Sequence, residues 1–141
     1  MILLDSHSLI WWVNRHAELS LKALAAIEAE HPGGEILISA LTAWEIPALA
    51  QSGRLGLRME PAAWLARIGA LPAVRFIPVD NAIALQAATL PAPAPGPMPA
   101  CILAATARHF GCPLVTARHF GCPLVTANAR LHAYPHVRTI W

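Results

Sequence analysis

The stretch Met1-Ile2-Leu3-Leu4-Asp5-Ser6-His7 decides how the rest of the sequence is interpreted. A short apolar run that stops at Asp-Ser is typical of a buried parallel strand followed by a helix, because Asp and Ser accept hydrogen bonds from the free N–H groups of a helix N-terminus. The carboxyl ends of strands in an open α/β sheet are also where ligands and metals bind. Asp5 is therefore a candidate site residue, and the alternative is that it only caps the next helix.

Strands and helices are predicted to alternate along the chain. After the first strand we expect strands over 36–39, 74–79 and 136–141, and helices over 8–14, 21–30, 61–68, 82–88, 101–110 and 128–132. A stretch with five prolines, 91–99, is expected to be an extended loop. This order predicts βαβ units with right-handed crossovers, and so an α/β fold with a parallel sheet.

A further helix is expected after Ile38, and its start decides where Glu45 lies. Thr42 and Glu45 have the spacing of a capping box, in which Glu45 would only close the start of its own helix. If Ser39 is the cap instead, Glu45 lies in the second turn and projects towards the carboxyl end of the first strand. Both readings fit the sequence.

Composition and charge limit the class of protein. The chain has 141 residues, is 56% hydrophobic and 13% charged, and is expected to form one domain over 1–141. Residues 1–80 carry eight acidic and six basic side chains, whereas 81–141 carry four Arg and no acid. No apolar run reaches the length of a membrane span and no basic leader precedes Ile2, so we expect a cytoplasmic protein whose three cysteines are reduced.

The segment 106–115, TARHFGCPLV, is repeated without change over 116–125. Ten residues are too few for a solenoid repeat, so we interpret 106–125 as a local tandem duplication. Either copy can supply the strand that starts at Pro-Leu-Val. The duplication also creates two His-x-x-Cys pairs, His109 with Cys112 and His119 with Cys122. Such pairs occur in zinc sites, but the copying of one pair is the simpler explanation, since each Cys directly precedes Pro-Leu-Val at a predicted strand start.

Taken together, several segments resemble the PIN-domain ribonucleases, and most closely the VapC-like toxins of bacterial toxin–antitoxin pairs. The resemblance covers nearly the whole chain in order. The segments that carry it are Ile2-Leu3-Leu4-Asp5-Ser6-His7 with Trp11-Trp12, Ile38-Ser39-Ala40 with Trp44-Glu45-Ile46, Gly53-Arg54-Leu55, Ile102-Leu103-Ala104-Ala105, Pro123 to Asn128 with Arg130-Leu131, and the closing Tyr134 to Arg138.

This resemblance implies a three-layer α/β/α sandwich with a central parallel sheet, and metal-dependent cleavage of RNA. It implies that Asp5 and Glu45 bind Mg²⁺ or Mn²⁺, and that Ser6 and Asn128 assist. Mg²⁺ prefers oxygen ligands and lowers the pKa of bound water, which explains the residue types. Implied partners are the RNA substrate, a VapB-like antitoxin and a second copy of the chain in a homodimer, with no membrane.

The sequence departs from the family pattern where further acids are expected. Gly96-Pro97-Met98-Pro99-Ala100 replaces an Asp-Pro-x-Asp-Arg segment, and Asn128 replaces an Asp. No carboxylate follows Asp80. Fewer carboxylates attract a divalent ion less strongly, so we expect impaired catalysis.

Two functions therefore remain open: a weakened endoribonuclease, or a catalytically inactive PIN-like module that binds an antitoxin or a dimer partner. For the second function Trp11 and Trp12 are the candidate anchors, because Trp is enriched in binding hot spots. Core packing explains these two residues equally well.

Overall fold

The strands form one parallel sheet at the centre of the molecule. The computed structural model describes residues 1–111, 124–125 and 129–141. The strands are β1 (Ile2–Leu4), β2 (Ile36–Ser39), β3 (Val74–Ile77), β4 (Leu124–Val125) and β5 (Thr139–Ile140). Their order in the sheet is β3-β2-β1-β4-β5, and every neighbouring pair is parallel. All residues of β1 and β2 are buried, as expected of central strands covered on both faces.

Helices connect the strands and cover the sheet. Their bounds are α1 (Ser6–Asn14), α2 (Leu21–Glu30), α3 (Ala40–Gln51), α4 (Pro61–Gly69), α5 (Asn81–Ala88), α6 (Met98–Phe110) and α7 (Ala129–His132). Side-chain caps explain several starts, since Ser20 accepts from the Ala23 N–H and Asp80 accepts from the Ile83 N–H. None of the helices in the described ranges is long and apolar enough to cross a membrane.

The alternation of side chains along β1 and β2 divides the core into two layers. Leu4 and Ile38 face a cluster that includes residues of α1, α2 and α4, whereas Leu3 and Leu37 face a cluster built from α5, α6 and α7. Successive side chains of a strand point to opposite faces, so each strand contributes to both clusters. The result is the three-layer α/β/α sandwich with a central parallel sheet that was predicted.

The strand order places a crevice at the carboxyl end of β1. The chain runs from β1 to β2 and β3 on one side, and returns to β4 and β5 on the other. The two strands beside β1 therefore continue the sheet in opposite directions, β2 towards β3 and β4 towards β5. Open α/β sheets bind ligands at such a point.

The second copy of the repeat supplies a strand. Leu124 and Val125 pair with Leu3 and Leu4 of β1. The start of the first copy, residues 106–110, forms the end of α6. Residues 112–123 and 126–128 lie outside the described part of the chain.

Several element boundaries differ from the prediction. Helix α1 begins at Ser6 rather than at residue 8, and β3 ends at Ile77 rather than at residue 79. Helix α6 begins at Met98, inside the stretch expected to be a loop. Its second residue, Pro99, is tolerated because the N–H groups of a first helical turn have no partner within the helix.

The central strands should dominate stability. Leu37 is fully buried in β2, and Leu37→Ala should lower the free energy of unfolding by about 2–5 kcal/mol because it leaves a cavity between two layers. Urea denaturation measures the loss. Leu85→Ala removes the same atoms from a side chain that is 68% exposed and should change stability by less than about 0.5 kcal/mol. Equal losses for the two variants would contradict this assignment of the core.

Candidate active site

Asp5 is the first residue after β1, and its buried carboxylate caps α1. Its Oδ1 atom accepts a hydrogen bond from the Ser8 N–H at 2.8 Å, and its backbone is extended as at other N-caps. The partial positive charge of the helix N-terminus attracts the carboxylate group. The capping alternative raised from the sequence is therefore correct as a local contact, but the same side chain also lines the cavity described below.

Glu45 reaches the site because α3 begins at Ser39. The Ser39 hydroxyl accepts from the Leu41 N–H at 3.2 Å, which makes Ser39 the N-cap. Thr42 lies within the helix, so the capping-box interpretation of Thr42 and Glu45 is wrong. Glu45 instead occupies the second turn of α3 and is half-buried.

Ser6 connects the two carboxylate-bearing elements. Its hydroxyl donates a hydrogen bond to Oε2 of Glu45. Its Oγ atom also lies 2.9 Å from Oγ1 of Thr42 in a fully buried contact. A hydroxyl has one hydrogen to donate, so Thr42 is the donor of this second bond. The chain Thr42–Ser6–Glu45 thus joins the start of α1 to α3 and holds Glu45 beside the end of β1.

Asp5, Ser6 and Glu45 line one open cavity of about 490 Å³. Asp5 and Glu45 are the two carboxylates among the described lining residues. The opposite wall is apolar and includes Pro97 and Leu103, and its remaining described members are Pro99, Ala100 and Leu131. The segment that replaces the acidic motif of the resemblance does face the site, and it contributes no carboxylate there.

The apolar wall is attached to the rest of the fold by Tyr134. The Tyr134 hydroxyl donates to the Pro91 carbonyl oxygen at 3.1 Å, at the start of the proline-rich segment that leads to the wall. Burial raises the pKa of Tyr134 above its ordinary value. The start of the proline-rich segment before α6 is therefore bonded to the turn that follows α7.

Two sequence predictions fall on residues that the structure does not describe. Asn128, predicted to assist at the site, lies outside the described residues. Of the two His-x-x-Cys pairs created by the duplication, His109 lies on the exposed side of α6, whereas Cys112, His119 and Cys122 are outside the described ranges. Within those ranges no three His, Cys, Asp or Glu side chains cluster as a metal site would require.

The structure separates the two adjacent tryptophans of α1. Trp11 lines the carboxylate cavity together with His7. Trp12 lines a different groove of about 920 Å³ between α1, α2 and α4, and its indole N–H donates to Glu28 at 3.0 Å. Neither His7 nor Trp11 was predicted from the sequence to line the cavity. Their spacing could have indicated it, because residues i and i+4 share a helix face and both follow the strand-end Asp5.

The donor set of the cavity suits a hard divalent cation. Carboxylate and hydroxyl oxygens are the ligands that Mg²⁺ prefers, and Mg²⁺ commonly binds through one or two carboxylates while it keeps several waters. Asp5 and Glu45 satisfy that minimum. Their number is small, so weak binding is expected from this set alone.

Comparisons with known proteins agree on one family. The family model described as the PIN domain matches residues 2–137. The chain is 30% identical over 140 residues to Ribonuclease VapC22 of Mycobacterium tuberculosis (strain ATCC 25618 / H37Rv), which covers 99% of this chain and 98% of the relative. A crystal structure of VapBC2 from Rickettsia felis, bound to a DNA fragment from their promoter, matches with a TM-score of 0.62 and 15% identity. That match covers 99% of this chain and 97% of the other chain, and it supports the fold.

The two roles of Asp5 can be separated by substitution. Asp5→Ala removes the cap of α1 and should lower the free energy of unfolding by about 1 kcal/mol, whereas Asp5→Asn keeps a capping oxygen and should change stability little. Urea denaturation in EDTA measures both. Asp80→Ala removes an equivalent cap from α5, remote from the cavity, and should cost a similar amount. Equal destabilisation by Asp5→Asn and Asp5→Ala would show that the charge rather than the cap stabilises α1.

Proposed function

The chain belongs to the PIN domain family, and from this premise we propose that it is a VapC-like, divalent-metal-dependent endoribonuclease. The observation that carries the proposal is the placement of Asp5 and Glu45 on one cavity at the carboxyl end of β1. Ser6 links them through its hydrogen bond to Glu45. The relative from Mycobacterium tuberculosis is named a ribonuclease, which supports the same activity here.

In this proposal Asp5 and Glu45 bind Mg²⁺ or Mn²⁺, and Ser6 orients Glu45. A bound divalent ion would polarise the phosphate and lower the pKa of a water molecule. Hydrolysis at such a site would join the water oxygen to phosphorus and break the P–O bond to the leaving oxygen, which would take up the proton that the water gives up. The apolar wall that includes Pro97 and Leu103 limits access of bulk water on one side. Asn128 is proposed from the sequence alone as an assisting group.

The small number of carboxylates should weaken this activity. Each additional carboxylate increases the attraction for a divalent ion, and the described lining residues supply two. The wall that faces them includes Pro97, Pro99 and Ala100, which offer no carboxylate. We therefore propose a site that needs a higher metal concentration than a site with three or four acids.

A second candidate function, partner binding, is favoured by the groove lined by Trp12. Apolar side chains such as Leu24 and Trp64 line most of it, and Arg15 and Arg67 lie among the lining residues. Leu21, also in the lining, is 85% exposed. An amphipathic segment with acidic flanks fits such a surface.

We propose a VapB-like antitoxin as that partner. The crystal structure from Rickettsia felis is of a complex named VapBC2, which supports a partner of this kind. The groove and the cavity are lined by different residues of α1, so the proposed partner surface is separate from the proposed metal site. The homodimer expected from the sequence and the cytoplasmic location also remain part of the proposal.

Cleavage of RNA tests the enzymatic proposal. Purified protein should cleave a mixed single-stranded RNA with Mg²⁺ or Mn²⁺, and EDTA should stop the reaction. Glu45→Gln and Asp5→Asn each remove one of two ligand charges and should lower the rate by roughly 100-fold or more. Gel analysis of the products gives the rates.

Glu28→Gln is the matched control, because Glu28 contacts Trp12 in the groove rather than the cavity. It should cleave as fast as the unchanged protein. Cleavage that survives Glu45→Gln would contradict the proposed site. A folded protein that does not cleave with either metal would leave partner binding as the function.

A further inference from the structure

A cluster of rings is centred on Trp11, which lines the carboxylate cavity. Trp11 contacts His7 with ring centroids 5.9 Å apart, His16 at 6.2 Å and Trp141 at 5.5 Å. We call these four residues the ring cluster. His7 and Trp11 also line the cavity that contains Asp5. The ring cluster therefore continues directly from the proposed metal site.

Two rings of the cluster, His16 and Trp141, pack against Trp11. His16 stacks on Trp11 with planes inclined by 22°, and Trp141 packs at 51°. These contacts hold the indole in place. His7 is exposed and precedes Trp11 by one helical turn, so both project from the same face of α1. A molecule bound at Asp5 would meet the His7 and Trp11 rings next.

The described lining of the cavity has no Lys or Arg. A phosphate in the cavity would therefore meet two carboxylates, Asp5 and Glu45, without a nearby cationic side chain in the described lining. Among the described lining residues, attraction to an RNA backbone would therefore come from a bound metal ion. Aromatic rings beside the cavity can add to the binding of RNA through base stacking, which does not involve the phosphate.

We propose that His7 and Trp11 form a stacking platform for a nucleobase of single-stranded RNA next to the cleaved phosphate. The proposal deepens the proposed ribonuclease function and rests on it for the identity of the ligand. Every base has a π-face, so a ring platform binds single strands with little sequence preference. Bases in a duplex are stacked on each other and present no free face, so the platform selects single-stranded segments.

Trp12 provides an internal comparison. It has the same side chain as Trp11, is also half-buried, and lies about 100° around the helix. Its indole N–H is bonded to Glu28, and its ring meets His31 edge-on at 6.0 Å. Loss of either tryptophan removes packing from the same core cluster. Only loss of Trp11 should remove a ring from the cavity.

Fluorescence anisotropy with two labelled probes tests the platform. The first probe is single-stranded oligoadenylate RNA, and the second is an oligomer of equal length and charge without bases. The affinity for each probe is measured in Ca²⁺. A gel run afterwards shows whether the RNA stayed intact during the measurement. The unchanged protein should bind the first probe about tenfold more tightly than the second, because stacking adds to phosphate contacts. Trp11→Leu should abolish this preference, Trp11→Phe should keep part of it, and Trp12→Leu should keep all of it.

His7→Ala is a second test variant that is expected to fold, because His7 is exposed and its loss should leave the core intact. It should reduce the preference for the base-bearing probe. The platform is overturned if the unchanged protein binds both probes with equal affinity or binds neither. It is also overturned if folded Trp11→Leu and His7→Ala keep the full preference for the base-bearing probe. Failure of the ribonuclease proposal is separate: it is the absence of cleavage in Mg²⁺ or Mn²⁺, which this binding assay does not measure.

Discussion

The parallel pairing of β1 with a strand on each side fixes where every group of the site lies. β1 is three residues long and fully buried, so the chain must leave the sheet at Asp5. The neighbouring β2 ends at Ser39, whose cap starts α3. Because parallel strands end at the same edge, the side chains of α1 and α3 meet there. The hydrogen bond from Ser6 to Glu45 joins them.

Asp5 combines an observed capping contact with a place in the proposed metal site. A carboxylate at a helix N-terminus accepts hydrogen bonds from the free N–H groups of the first turn and is attracted by the helix dipole. The contact with Ser8 also fixes the orientation of the carboxylate. Pre-orientation lowers the entropy lost when a ligand binds. The cap thus supports the proposed metal site rather than competing with it.

Much of the fold could be predicted because its determinants are local. The apolar run before Asp5 and the caps Ser20 and Asp80 each act within a few residues. The choice between Ser39 and Thr42 as the cap of α3 could not be made, since both are locally acceptable and tertiary packing against Ser6 decides. The faces of Trp11 and Trp12 could not be assigned either, because α1 is apolar all round and is covered on more than one side.

We propose that Ser6 holds Glu45 close enough to Asp5 for the two carboxylates to bind one divalent ion. A titration with Mn²⁺ followed by electron paramagnetic resonance tests this proposal by comparing Ser6→Ala with the unchanged protein. Ser20→Ala is the control, because it removes a hydroxyl that does not line the cavity. We expect one Mn²⁺ site in the unchanged protein and in Ser20→Ala. In Ser6→Ala we expect the affinity for Mn²⁺ to fall by about 10- to 100-fold. Equal Mn²⁺ affinity in Ser6→Ala and the unchanged protein would contradict it.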